Sequence, residues 1–115
     1  MQVYDKAHEL ADEIRKSEDY QLYARLKDQV MADEKNRMLI GEYKKLQLEA
    51  QASYLSGAAP SEETMEKLKQ LGGLLGMNRE VSEYLVAEYK MQTMVGDVYK
   101  IIGDACGLGL DFLSE

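Results

Sequence analysis

Apolar positions recur along most of this chain with the period of an α-helix, and two stretches hold that period without a break. Between Asp33 and Ser56, Leu39, Tyr43, Leu46, Ala50 and Tyr54 follow one another at spacings of 4, 3, 4 and 4, the stripe of an amphipathic helix. Between Asn78 and Ala105, Tyr84, Ala87, Met91, Met94, Val98, Ile101 and Ala105 recur at 3, 4, 3, 4, 3 and 4, close to the 3.5-residue average of a coiled-coil seam. At ~1.5 Å per residue the second stretch reaches roughly 40 Å, whereas a globule of this length, with a radius of gyration near ~13 Å, spans only about 35 Å. The pattern therefore predicts rods whose ends overhang and whose stripes need a further surface. The expected fold is all-α, an elongated antiparallel bundle of four to five helices, two of them long, that self-associates through a second copy or a partner.

The shorter elements follow from capping chemistry. A first helix is expected from about Gln2 to Lys16, with Val3, Ala7, Leu10 and Ile14 on its buried stripe. Ser17 reads as the N-cap of a second helix, its hydroxyl accepting a free backbone N–H, with Glu18 and Asp19 where the helix dipole favours negative charge. Leu22, Leu26 and Val30 form that helix's apolar face, and it ends near Ala32. Asp33 offers the next cap. Ser56-Gly57-Ala58-Ala59-Pro60 is the clear break, since glycine accommodates a left-handed helix end and proline cannot donate the N–H of a continuing helix. Ser61 caps a fourth helix that buries Thr64, Leu68, Leu71 and Leu75, and Gly72 and Gly73 within it predict a bend or fraying. Asn78 is placed to cap the last helix. Residues 106–115 form a short apolar tail rich in glycine, closing a single domain over 1–115.

Composition narrows the function classes. The 115 residues are 45% hydrophobic and 30% charged, with one proline, no tryptophan and a formal charge of −7, which is ordinary for a folded domain. An acidic chain lacks the Lys and Arg excess from which nonspecific nucleic-acid affinity arises, so direct nucleic-acid binding is not expected. Charges interrupt every apolar stretch before the ~20 residues of a membrane span, and the N-terminus lacks the basic and apolar regions of a secretory signal. One cysteine makes no internal disulfide and suits a reducing cytoplasm.

Candidate chemistry is sparse. His8-Glu9-Leu10-Ala11-Asp12 has the histidine and glutamate of a zinc-protease helix but carries Asp12 where the second histidine would stand, and the chain holds a single histidine. Cys106 lies near Asp104 and Asp111, which oppose thiolate formation, so a packed side chain is expected rather than a nucleophile. Gly107-x-Gly109 lacks the strand and following helix of a phosphate loop, and the acidic pairs lack calcium-loop spacing. No catalytic residue, metal ligand or cofactor is assigned. The eight tyrosines and seven methionines suit adaptable packing and interfaces. The residues expected at an oligomer or partner interface are Leu39, Tyr43, Leu46, Ala50, Tyr54, Tyr84, Met91, Met94, Val98 and Ile101.

Taken in order, Ala7-x-x-Leu10-Ala11-x-x-Ile14, Ser17 and Tyr20, then Asp33, Leu39, Ile40, Tyr43, Leu46 and Gln47, then Asn78, Val81, Tyr84-Leu85, Ala87-Glu88 and the stripe from Val98 to Ile101 resemble the YlbF/YmcA family of small helical bacterial proteins, and within it the short YheA-like branch. The resemblance implies an all-helical, self-associating cytoplasmic protein of Gram-positive bacteria. It also implies a non-enzymatic adaptor or regulator acting through protein–protein contacts, linked to competence, biofilm formation, sporulation or mRNA processing. Members of the regulatory complex carry several C-terminal cysteines associated with iron–sulfur clusters, whereas this chain has Cys106 alone. A cluster usually takes four thiolates, so the cluster is not carried over. The alternative is a metal- or iron–sulfur-binding protein whose ligands, His8, Glu9, Asp12 and Cys106 among them, are shared between subunits.

Overall fold

The computed structural model describes residues 1–108, and those residues form five α-helices: α1 Gln2–Lys16, α2 Glu18–Met31, α3 Glu34–Leu55, α4 Glu62–Gly76 and α5 Arg79–Cys106. The caps are those the side chains dictate. Ser17 Oγ accepts from Tyr20 N at 3.2 Å and donates to the Ile14 carbonyl at 2.6 Å, so one hydroxyl closes α1 and opens α2. Asp33 accepts from the backbone N–H of Lys35 at 2.8 Å and of Asn36 at 3.3 Å. Ser61 Oγ accepts from Thr64 N at 3.1 Å, and Asn78 Oδ1 from Val81 N at 3.1 Å. Each such bond satisfies a donor that the first helical turn leaves without an intrahelical partner.

The helix ends follow the glycines. After α3, Gly57 adopts φ +86°, and Ala58 N donates to the Ser53 carbonyl at 2.9 Å, the crossed pattern by which a left-handed residue closes a helix. Gly107, at φ +66° with Leu108 N donating to Gly103 O at 3.2 Å, ends α5 in the same way. Gly72 and Gly73, by contrast, do not interrupt α4, which runs through both to Gly76. The expected fraying does not occur, a propensity cost of about 1 kcal/mol per glycine being too small by itself to break the helix. Gly72 sits against the Tyr43 ring, 3.6 Å from the place a Cβ would occupy.

The chain divides into two compact units. One is Leu26–Glu83, and the other joins Met1–Arg25 to the part of the chain that begins at Tyr84. In the first, α3 and α4 pack on each other as a helical hairpin across the turn at Gly57. Its buried side chains are Leu26, Val30, Ile40, Leu46, Ala50, Leu75 and Val81, with Val30, Ile40 and Val81 essentially sealed from solvent. Ile40, rather than its neighbour Leu39, is the sealed position in the second turn of α3.

The second unit contains the ring of Tyr84, 1% exposed, and buried Ala87 and Met91. Here one expectation fails. The stripe predicted to bury α1 does not do so: no residue of α1 is buried, Val3 is 64% exposed and Leu10 40%. Leu22 on α2 is likewise exposed. Periodicity shows that a helix has an apolar face but is silent on whether its own chain covers that face. Cys106, expected to pack, lies exposed in the last turn of α5 as a free thiol.

Candidate partner-binding surface

Three tyrosines organise the second unit. Tyr20 and Tyr23 lie three residues apart on α2, their ring centroids 6.3 Å apart and tilted by 48°. Tyr23 in turn stacks on Tyr84 of α5 at 6.0 Å and 21°, a geometry in which offset aromatic faces attract. The Tyr84 hydroxyl donates to Glu88 Oε2 at 2.8 Å, one turn further along α5. Burial of the ring, and then the hydrogen bond and negative charge of Glu88, push the Tyr84 phenol above the ordinary tyrosine range, with Tyr23 acting in the same direction. The phenol is therefore a neutral donor that holds Glu88 in place.

Beside this stack lies a groove of about 820 Å³, bounded by Tyr23 and, on α5, by Glu88, Tyr89, Met91, Gln92, Thr93, Val95, Gly96, Asp97 and Tyr99. Its walls are aromatic and aliphatic, its rim carries two carboxylates, and no histidine, cysteine or cation lines it. Such a surface suits a helix or an extended segment with apolar anchors and basic flanks. It offers no nucleophile placed beside a base.

The expected interface residues fall into three groups. Leu46, Ala50, Tyr84 and Met91 are buried within their own chain, so their side chains already serve the fold. Leu39, Tyr43, Met94 and Val98 are half-buried. Tyr54 at 63% and Ile101 at 68% stand in solvent. More apolar surface is exposed on these two helices than the stripes alone suggested: Met38, Leu48 and Leu55 on α3, and Val86, Tyr89, Val95, Tyr99 and Ile102 on α5. Tyr20, Tyr23 and Tyr89 were not picked out by the seam pattern. The i, i+3 spacing of Tyr20 and Tyr23 after the Ser17 cap was the available signal for the first two.

The residues weighed as metal ligands do not assemble. Among the described residues, no group of three or more His, Cys, Asp and Glu side chains is placed to hold an ion. On α1, Asp12 is instead paired with Arg15, and Glu9 with Lys6 at 3.3 Å. Among the described residues no helix is long and apolar enough to cross a membrane. The tail from residue 109 onward, with Leu110, Phe112 and Leu113, lies outside the described residues.

Residues 3–106 match the family described as control of competence regulator ComK, YlbF/YmcA. The chain belongs to the YlbF/YmcA family. It is similar to UPF0342 proteins of Halothermothrix orenii (34% identical over 110 residues, 96% of this chain and 93% of that protein) and Clostridium novyi (37% over 105 residues, 91% and 92%). A third, from Clostridium tetani, is 34% identical over 115 residues, covering 100% of this chain and 99% of that one. The fold is similar to that of a solved structure described as a protein of unknown function (DUF964) from Bacillus stearothermophilus, with a TM-score of 0.72, 21% identity and coverage of 93% of this chain and 94% of that one. At that identity the likeness bears on fold alone. The YlbF/YmcA description is regulatory, and none of these relatives carries an enzyme name.

Proposed function

We propose that this YlbF/YmcA protein is a non-enzymatic adaptor or regulator of the YheA-like branch that works in the cytoplasm as a homodimer or higher homo-oligomer and acts by binding another protein. In this reading it neither contacts nucleic acid directly nor anchors stably in a membrane, and the process it regulates is of the kind its family is linked to: competence, biofilm formation, sporulation or mRNA processing. The observation that carries the proposal is the set of apolar side chains that α5 leaves in solvent, Val95, Tyr99 and Ile102 at spacings of four and three along one face with Tyr89 and Ile101 to either side. Contiguous apolar surface of this kind, rimmed by charge, marks interaction sites on folded proteins. In the other unit, the exposed Tyr54 and the accessible edges of the half-buried Leu39 and Tyr43 on α3 are proposed as contact residues in their own right, as are those of Met94 and Val98 on α5.

The test is affinity purification from the native host with the wild-type chain and an Ile101→Asp variant as baits, followed by mass spectrometry. The proposal expects a specific protein retained by the wild type and lost from a variant of unchanged helicity. Equal recovery by both baits, or none by either, would contradict it.

A further inference from the structure

We propose that Ser17 is a hinge with two positions: while its hydroxyl caps α2 the arm α1 is held at an angle to it, and when that cap is released α1 and α2 join into one helix from Gln2 to Met31. The inference stands apart from the adaptor reading above and needs neither an assembly nor a partner. The joint between the two helices is one residue long. Ser17 has φ −66°, a helical value, and only its ψ of 150° departs from the helix. Turning that one dihedral to about −42° removes the break.

The hydrogen bonds at the joint are those of a helix with side chains standing in for backbone. In a continuous helix the carbonyls of Ile14 and Arg15 would accept from the N–H groups of Glu18 and Asp19, four residues on, and Tyr20 N would donate to the Lys16 carbonyl. Instead the Ser17 hydroxyl donates to the Ile14 carbonyl at 2.6 Å, Gln21 Nε2 donates to the Arg15 carbonyl at 2.6 Å, and Tyr20 N donates to Ser17 Oγ at 3.2 Å. The next bond of the ladder, from Gln21 N to the Ser17 carbonyl at 3.1 Å, is already made. Straightening therefore exchanges three bonds through side chains for three through the backbone, and leaves no backbone group of the joint without a partner. Serine is favoured as a cap and alanine inside a helix, so the side chain at position 17 decides the balance.

Packing does little to oppose the exchange. No residue of α1 is buried and Ile14 alone is half-buried, so moving the arm uncovers little apolar surface. The two positions differ in where the apolar stripe of α1 points. At about 100° per residue, Ile14 and Tyr23 stand half a turn apart in a continuous helix. Tyr23 stacks on Tyr84, so the straight arm turns Ile14, and with it Ala7 and Leu10 on the same stripe, away from that stack. The hinge thus sets the direction in which the exposed Val3 and Leu10 are offered. A molecule that binds one position better than the other shifts the balance between them by its difference in affinity.

The experiment is double electron–electron resonance between spin labels at Asp5→Cys and Arg25→Cys, both exposed positions, in a Cys106→Ser background diluted with unlabelled chain so that distances within one chain are read. It compares the wild-type hinge, Ser17→Asn and the double variant Ser17→Ala with Gln21→Ala, with circular dichroism and with hydrogen exchange at the amides of Glu18 and Asp19. In a continuous helix the labelled positions stand about 30 Å apart, and any bend at Ser17 shortens that distance. The wild-type hinge and Ser17→Asn, which keeps a capping oxygen, are expected at the shorter distance. The double variant is expected near 30 Å as its main population, with exchange at Glu18 and Asp19 slowed by about tenfold as both amides gain carbonyl partners. A double variant that kept the wild-type distance and exchange would overturn the hinge. So would a broad distance distribution with a weakened helical spectrum, since the joint would then come apart rather than join, and so would a wild type already near 30 Å. A Ser17→Asn chain at the longer distance would overturn the role given to the cap.

Discussion

Gly57 and Gly73 respond in opposite ways to the same added methyl group. Gly57 holds φ +86°, a conformation that costs an L-residue about 1–2 kcal/mol, so Gly57→Ala is expected to lower stability by about 1 kcal/mol. Gly73 sits in the interior of α4 with open space where a Cβ would stand, and Gly73→Ala is expected to raise stability by about 0.4–1 kcal/mol, chiefly by restricting the unfolded chain. Urea unfolding of the two variants beside the wild type reads both signs. Tyr84 gives a pH signature at the same scale. Its phenol is raised above the unfolded value of about 10 by burial and by the bond to Glu88. A raised acid favours the folded state while it is protonated, so this contribution is complete below about pH 10 and is lost as pH rises above it. Subtracting the urea midpoint of Tyr84→Phe from that of the wild type should therefore give a difference that is constant through neutral pH and falls above about pH 10. A difference that grew with alkaline pH would contradict this assignment.

Among the elements, α3 shows how burial rather than periodicity decides what a position does. Leu46 and Tyr54 share one predicted stripe, yet Leu46 is 5% exposed and Tyr54 63%. Leu46→Asp places a carboxylate among apolar side chains of the α3–α4 hairpin without a partner and is expected to cost several kcal/mol and most of the helicity. Tyr54→Asp is expected to keep the circular dichroism spectrum of the wild type. The helices themselves were legible in the residues, because capping serines, Asp33 and Asn78 and the glycine at 57 each act through local backbone chemistry. The burial of Val81 and Ile40 and the exposure of α1 were not, since they depend on which face tertiary packing happens to cover. The groove was half legible. Tyr84 and Met91 lay on the expected seam, but the surface beside them is built from Tyr89, Val95, Gly96 and Tyr99, one face further round α5, where mixed glycine, glutamine and tyrosine give no periodic apolar signal.

At the scale of the whole molecule, the chain keeps a small core and leaves much apolar side chain in solvent. Among the described residues, ten hydrophobic side chains are buried, three or fewer of them from any one helix other than α5, while nineteen large ones are exposed. A folded protein with this distribution gains stability when further protein covers those side chains, which is the physical ground of the proposed assembly and partner binding. The measurement that tests this most directly is the mass of the purified wild-type chain by size-exclusion chromatography with light scattering at micromolar concentration. The account predicts a particle at a whole multiple, two or more, of the 13.1 kDa chain. A cooperatively folded species that stays at 13.1 kDa across the concentration range would contradict it.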